Sequence, residues 1–281
     1  MSDEDFTPGR AVDLAPGVRR ITAPNPGYMT GPGTNTYVVG GDEVAVVDPG
    51  VDDTGHLDAI LAAAPGPVRR ILVTHNHPDH AGGARALAAR TGARIHAHPT
   101  PLQGVRDRDF RADELLDEGD EVRGADYRLR CLHTPGHTTD HLCFLHEETG
   151  LLFAGDHVMA GVTVVIAPPD GDMIAYLASL ERLKREPIAA FAPAHGGLMR
   201  PPVAVLDEVI THRLEREAQV RAVLDAEPAG IGVDDIVARL YPDVPEPLRP
   251  VAAYQVYAHL LKLRAEGRAR GEDIDSPWRA V

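Results

Sequence analysis

Cysteine is almost missing from this chain: only Cys131 and Cys143 occur in 281 residues. Two thiols cannot build the disulfide framework that small secreted domains need. Each lies in an apolar, strand-like run (Tyr127 to Leu132 and Leu142 to Leu145), which marks them as buried structural thiols. Neither has a helix start or a basic neighbour to activate it. Aromatic residues make up 5% of the chain, with one tryptophan, so the stacking platforms used to bind single-stranded nucleic acid are poorly supplied. Positive charge is short as well: 28 Lys and Arg stand against 42 Asp and Glu, a formal net charge of -14. Such a field repels nucleic acid and anionic membranes at long range, although a metal cluster or a basic patch can reverse it nearby. No segment approaches the roughly 20 apolar residues that span a bilayer. The acidic start Met1-Ser2-Asp3-Glu4-Asp5 lacks the basic-then-apolar pattern of a secretory signal. A cytoplasmic protein without a membrane partner is expected. There is no Gly-x-Ser-x-Gly elbow and no Gly-Lys-Ser/Thr phosphate loop.

What is present alternates. From Val18 to about Pro193, short β-branched strands and amphipathic helices follow one another. Thr36 to Val39 and Val44 to Val47 read as a hairpin across Gly40-Gly41-Asp42. Asp53 to Ala64 has helical spacing, with Leu57, Ile60 and Leu61 on one face, and Val68 to Val73 is a strand. Pro78 to Arg90 is predicted as one helix closed by Gly92, and Arg94 to Ala97 as a strand before a looser acidic stretch. Three further strands are predicted at Tyr127 to Leu132, His141 to Leu145 and Leu151 to Ala154. A helix over Asp172 to Leu183, with Ile174, Leu177 and Leu180 inward, leads to a last strand at Ile188 to Ala192. Hairpins mixed with αβ crossovers predict an α+β arrangement, sheets covered by helices. After Pro201-Pro202 the character changes to charged helices over Val203 to Leu224, Val233 to Leu240 and Leu248 to Glu266, with room for a small wing-like hairpin beyond. Two domains are expected, 1–202 and 203–281.

The chemistry concentrates in Thr74-His75-Asn76-His77-Pro78-Asp79-His80, directly after a strand. Four groups able to bind a divalent ion fall within six residues, at a strand-to-helix turn that can aim them at one point. Pro78 suits a first helical turn, where its missing N–H costs little. Three later residues occupy similar places: His137 in Pro135-Gly136-His137, Asp156 after Gly155, and His195 before Gly196-Gly197. Each stands at a strand's carboxyl end, where loops carry function. Any one alone is more often an ordinary loop residue. Together with the first motif they make seven ligands, enough for two metals with an open position each.

The order His-x-His-x-Asp-His, then His, Asp and His at strand ends, resembles the metallo-β-lactamase superfamily. That resemblance implies an αββα sandwich with the metals between the sheet edges. It assigns His75, His77 and His137 to a first metal and Asp79, His80 and His195 to a second, with Asp156 bridging. The main zinc β-lactamases carry cysteine where Asp156 stands, so an antibiotic-degrading enzyme is not expected. Flavo-diiron proteins usually carry glutamate at the position of His77, which argues against iron redox chemistry. The glyoxalase II and RNA-processing branches share the ligand set, and persulfide dioxygenases use part of it with iron. Two zinc ions are therefore expected, with manganese or iron as alternatives. A resemblance over nearly the whole chain is carried by Gly33-Thr34-Asn35-Thr36-Tyr37-Val38-Val39-Gly40 and Thr134-Pro135-Gly136-His137-Thr138-Thr139-Asp140-His141. These look like the β-lactamase-like protein 2 branch, whose members also carry a C-terminal winged-helix-like domain. The branch includes a single-strand-specific endoribonuclease and polyketide thioesterases. The usual Pro-Gly-His-Gly at the last ligand is here Pro193-Ala194-His195-Gly196, which leaves the ligand intact.

Paired metals hold a bridging water and lower its pKa toward neutrality, giving a hydroxide to attack an acyl carbon or a phosphorus. Asp79 is a candidate proton acceptor, and His141, four residues after His137, is a candidate to orient the site or protonate a leaving group. Asn35, at the end of the loop Gly31-Pro32-Gly33, is a candidate substrate contact. His96, His98, His133 and His157 are expected to be structural. The acidic balance favours a small acyl substrate, a thioester or lactone, over RNA; the C-terminal segment holds ten Lys and Arg against fourteen Asp and Glu. A DNA-reading role is weakly supplied, because Arg249, Lys262 and Arg264 are the only basic residues on the last long helix. A homo-oligomer is compatible with all of this. Access to the site is expected to depend on the loops Thr100 to Asp113 and Met159 to Asp170.

Overall fold

The computed structural model describes residues 4–99, 106–107 and 109–281. Seven strands form the first sheet in chain order: β1 (Ala11–Ala15), β2 (Val18–Thr22), β3 (Asn35–Val39), β4 (Val44–Val47), β5 (Val68–Leu72), β6 (Arg94–Ala97) and β7 (Glu114–Leu115). The first four pair antiparallel and the rest parallel. The second sheet holds β8 (Glu121–Arg123), β9 (Arg128–His133), β10 (Leu142–His146), β11 (Leu151–Gly155) and β12 (Ala190–Pro193), in the order β12-β11-β10-β9-β8. Only the β11–β12 pair is parallel.

The period of two sorts the side chains of these strands into layers. Tyr37, Val39, Ala45 and Val47 face Leu129, Cys131, Phe144 and Phe153 between the sheets. Their neighbours Val38, Val44, Val46 and Ile71 turn outward onto Leu57 and Ile60 of α1 (Thr54–Ala63) and Leu87 of α3 (Ala84–Thr91). On the far side, Leu132, Cys143, Leu145 and Leu152 pack under α4 (Met173–Leu183) and the start of α5 (Pro202–Ala226). The layers run helix, sheet, sheet, helix, as expected. Both cysteines are free and buried on opposite faces of the second sheet, and burial pushes each thiol up to about 12.

Strands β1, β2, β7 and β8 lie outside the expected strands, and two of the expected helices differ from the sequence reading. The helix expected over Pro78 to Arg90 is broken into α2 (Pro78–Ala81) and α3 by Gly82-Gly83. A Cβ at Gly83 would stand 2.9 Å from the Pro49 carbonyl, and the Gly83 N–H bonds the Gly50 carbonyl instead of continuing the helix. In α4 the buried face is Met173, Tyr176, Leu180 and Leu183, while Ile174 is exposed. Asp172 caps that helix by accepting from the Ile174 and Ala175 N–H groups, so the helix proper starts at Met173, which faces inward in place of Ile174.

Beyond the sandwich, α6 (Val233–Leu240), a 3₁₀ turn (Glu246–Leu248) and α7 (Arg249–Ala265) pack with the second half of α5 around Val220, Leu224, Val256, Leu260 and Trp278. A short hairpin of β13 (Ala269–Arg270) and β14 (Arg279–Ala280) closes the unit. The helix α5 serves both cores, through Val205, Leu206 and Ile210 at one end and Val220 and Leu224 at the other. No helix among the described residues is long and apolar enough to cross a membrane.

Two stability effects follow. Phe153 is fully buried between the sheets with its ring 4.9 Å from that of Tyr37. Phe153→Ala should lower unfolding stability by about 3–5 kcal/mol in urea titrations. His56 is buried against the Thr36 hydroxyl, and burial holds its ring down to about 4, with Asp53 opposing. It stays neutral in the folded chain while the unfolded chain takes up a proton below about 6.5. Its contribution is therefore complete above pH 6.5 or so and is lost as pH falls toward about 4. His56→Gln should flatten the acid limb of the stability profile relative to the parent by up to about 1.4 kcal/mol per pH unit.

Candidate metal centre

All seven candidate ligands lie at one end of the sandwich, beyond the carboxyl ends of β5, β9, β11 and β12. Backbone bonds join the two sheets there: the Leu142 N–H donates to the Thr74 carbonyl at 2.7 Å, and the Asn35 N–H donates to the Ala194 carbonyl at 2.7 Å. The turn that starts with Thr74 sets His75 and His77 facing inward, and the first turn of α2 adds Asp79 and His80. His137 comes from the β9–β10 connection, and Asp156 and His195 follow β11 and β12.

These side chains gather in two sets. His75 Nε2 lies 2.8 Å from His77 Nδ1, which lies 3.2 Å from His137 Nε2. A proton on His77 could serve one of those contacts, not both, whereas a cation among the three nitrogens serves all. Donors on one tetrahedral zinc stand about 3.3 Å apart, given bonds near 2.0–2.1 Å. In the second set, Asp79 Oδ2 is 3.5 Å from both His80 Nε2 and His195 Nε2. Asp156 touches both sets: its Oδ1 is 3.5 Å from His80 Nε2 and 3.3 Å from His195 Nε2, while its Oδ2 is 3.7 Å from His137 Nε2. His80 Nε2 and Asp156 Oδ1 are buried with no hydrogen-bond partner among the described residues. Separations of 3.3–3.7 Å are long for such bonds but suit shared coordination. The donor set fits two divalent ions.

Behind each imidazole stands an acceptor that sets its tautomer. His137 Nδ1 donates to the Val165 carbonyl at 2.5 Å, His195 Nδ1 to the Gly33 carbonyl at 3.3 Å, and His80 Nδ1 to Asp48 Oδ2 at 2.9 Å. His75 Nδ1 lies 3.1 Å from Thr74 Oγ1, which donates to the same Asp48 oxygen at 2.8 Å. His77 is the exception, turning Nδ1 inward. Burial, joined by the neighbouring His137 and His80, pushes His77 down to about 3. In the second set burial opposes charge, yet Asp79 and Asp156 hold His80 well above its usual value. Against the same burial, His80 and a bond from His195 hold Asp79 down to about 2. Burial thus keeps the His77 ring neutral, whereas the set with Asp79 is built from opposite charges.

The other sequence candidates are placed differently. Asp79 is partly open and lines a cavity of about 480 Å³ whose floor is His77, Asp79, His137 and Asp156. His141 is fully buried behind that floor: its Nδ1 meets the Thr134 hydroxyl at 2.9 Å, and its Nε2 accepts from the Asp156 N–H at 3.1 Å. This places it to position Asp156, out of reach of anything in the cavity. Gly155 permits the approach, since a Cβ there would lie 2.6 Å from His141 Nε2 and its φ is +49°. Asn35, expected to meet substrate, is buried and satisfied internally; its amide donates to the Pro193 and Gly196 carbonyls at 3.0 and 2.8 Å and so secures the loop of His195. His98 and His133 gather with Asp117, but their rings stack at 4.2 Å and 10°. Parallel ring planes cannot both contain one ion, so this is a stacked pair and not a chelate.

Sequence reasoning missed Asp48, Arg106, Arg213 and Gln255. Asp48 is buried at a φ of +48° after β4 and also accepts from the Thr74 N–H at 2.8 Å. Its position, a carboxylate after an apolar run and before Pro49-Gly50, is the same signal that marked Asp156. Arg106 pairs with Asp140 at 3.0 Å and Asp170 at 2.8 Å, bracing the turn that carries His137. Arg106 belongs to the loop Thr100 to Asp113, of which Thr100 to Val105 and Arg108 lie outside the described residues. From the C-terminal helices, Arg213 and Gln255 both donate to the Val164 carbonyl, one residue before the acceptor of His137.

The comparisons with known proteins agree with this geometry. Residues 29–195 match the Metallo-beta-lactamase superfamily, and residues 233–278 match the beta-lactamase associated winged helix domain. The chain belongs to the metallo-beta-lactamase superfamily. Along 92% of its length it is 32% identical to the Beta-lactamase-like protein 2 homolog of Drosophila melanogaster, covering 91% of that protein. It is 34% identical to the Atrochrysone carboxyl ACP thioesterase of Aspergillus chevalieri, over 83% of this chain and 76% of that one. The crystal structure of a beta-lactamase domain protein from Burkholderia ambifaria shares the fold, with a TM-score of 0.80 at 22% identity over 99% of this chain and 96% of that one.

Asp48→Asn would place an amide against the His80 and Thr74 donors. Metal affinity, read by chelator competition, should fall about 10–100-fold while the sandwich stays folded.

Proposed function

We propose that this protein is a dinuclear metallohydrolase, zinc-loaded in the cell, that hydrolyses a small acyl substrate of the thioester or lactone type. The observation that carries this reading is the division of seven donors into two sets that share Asp156, set in the floor of a cavity with apolar walls. Bound divalent ions would supply Lewis acidity and a water of lowered pKa at that floor; manganese or iron would suit the same donors. His75, His77 and His137 would hold one ion and Asp79, His80 and His195 the other. Residues 1–202 would carry the chemistry and 203–281 would shape access to it.

The chain's own groups do the rest. Met29, Val165, Ala167, Pro168 and Tyr254 wall the cavity and exclude water around an acyl group. Asp79 turns Oδ2 toward His80 and His195, and we assign its Oδ1 to accept the proton of the attacking water. His141 and Asn35 act as positioning residues, on Asp156 and on the His195 loop. The thioesterase name of the Aspergillus chevalieri relative supports an acyl substrate. The apolar walls and the net charge of -14 favour it over single-stranded RNA. The free thiols Cys131 and Cys143 accord with a reducing, cytoplasmic setting.

The deciding experiment measures metal in the pure protein and then turnover of a thioester panel and a labelled single-stranded RNA. About two zinc ions per chain are expected, with thioester turnover lowered more than about 100-fold in His77→Ala. RNA cleavage lost in that variant, with thioesters untouched by the parent, would replace this reading with an endoribonuclease. Protein that neither contains nor takes up zinc would remove the metallohydrolase altogether.

A further inference from the structure

The cavity over the candidate ligands has a neighbour on the C-terminal side. Met29, Met159 and Val165 are shared with a second cavity of about 220 Å³ that runs between the 159–165 loop and the C-terminal helices. The second cavity is walled by Val162, Val244, Leu248, Val251 and Ala252, with His212, Arg216 and Gln255 among its polar lining. One helix, α7, borders both: Tyr254 faces the metal end while Val251, Ala252 and Gln255 face the far end.

Three observations say that this is a place for substrate and not a packing gap. Tyr28, Met29, Val162 and Tyr254 are large apolar side chains left exposed, and all four line these cavities. An apolar surface of that kind, continuous with a polar reacting floor, is the usual form of a small-molecule site. The partition between the cavities is braced from both sides: Arg213 of α5 and Gln255 of α7 hold the Val164 carbonyl, and the Val165 carbonyl holds His137. Two of the polar groups that line the cleft, Arg213 and Gln255, are thus already engaged with the loop.

We propose that this joined cleft holds the acyl group of the substrate, and that the acyl group is therefore extended and apolar, an aliphatic chain or a flat ring system longer than acetyl. The inference rests on the acyl-hydrolase reading and refines it: the carbonyl lies at the floor formed by His77, Asp79, His137 and Asp156, and the distal carbons pass Met29, Met159 and Val165 to reach Val244 and Val251. The C-terminal helices then select chain length. Two acyl groups that differ by one buried methylene should differ in affinity by about fourfold, until the cleft is full.

The test uses zinc-loaded full-length protein and two probe series that share their acyl groups. One is straight-chain thioesters of a common thiol, from acetyl to dodecanoyl; the other is the matching free carboxylates, measured by calorimetry. The parent should gain about fourfold per methylene in carboxylate affinity, then level off at longer chains. Val251→Trp and Val244→Trp, both at partly exposed positions that tolerate a larger side chain, should bring the plateau to shorter chains and lower the ratio of dodecanoyl to acetyl turnover about 10–100-fold. Leu214→Trp, on the exposed face of α5, should keep the parental profile. A carboxylate series with no dependence on chain length, or one that Val251→Trp and Val244→Trp leave as in the parent, overturns the cleft assignment. Carboxylates that follow the expected series while no thioester is cleaved would keep the cleft and discard the thioesterase reading.

Discussion

A buried carboxylate organises the site. Asp48 accepts from the Thr74 N–H and hydroxyl and from His80 Nδ1. Through the Thr74 hydroxyl it also reaches His75, so one side chain sets the ring of a residue from each candidate metal set. With Nδ1 committed to an acceptor, His75 and His137 both turn an Nε2 lone pair toward His77 Nδ1, and one proton there cannot serve both contacts. That arrangement is unfavourable by itself and becomes favourable around cations, which is why the cluster reads as a metal centre and not as a polar core. The left-handed φ of Asp48 places the carboxylate beneath the turn, at a local cost that a short polar residue bears better than a branched one.

Everything else in the sandwich serves to keep that end rigid. The strands that carry Asp48, Asp156 and His195 are buried on every residue, and their carboxyl ends meet where the two sheets are joined by backbone bonds. The Tyr37 hydroxyl adds a bond to the Pro193 carbonyl at 2.6 Å, and the Asn35 amide adds two more to the same loop. Ligand-bearing loops on such a frame lose little freedom on binding an ion, so more of the binding free energy is retained.

The C-terminal helices are not passengers on this frame. Helix α5 runs from the outer core of the second sheet into the core around Trp278. Arg213 and Gln255 converge on the Val164 carbonyl, and the next carbonyl holds a candidate ligand. Packing changes in the winged-helix unit can therefore be felt at His137 through two peptide units. The same helices wall the cleft, so the shape of the substrate space and the set of the metal floor share supports.

The sequence by itself determined the inventory of candidate ligands, eight of the strands in the two sheets and the appended helical unit. Metal-binding residue types at successive strand ends are informative when read together, and period-two burial is a local property of the chain. Helix α6 falls at the bounds that apolar spacing indicates, and so does the burial of Val256, Leu260 and Leu263. Tertiary structure alone decided what stands behind those residues. Asn35 and His141 look like active-site groups in the chain, yet the fold turns one onto the His195 loop and sets the other behind Asp156. Asp48 carries no mark beyond its place after a strand, and its role exists only because β4 lies beside β5. The break at Gly82-Gly83 likewise depends on a backbone 33 residues earlier, that of Gly50, approaching within bonding distance. Local patterns report which side chains a segment offers; which of them meet is a property of distant segments packed together, and no single stretch of sequence contains it.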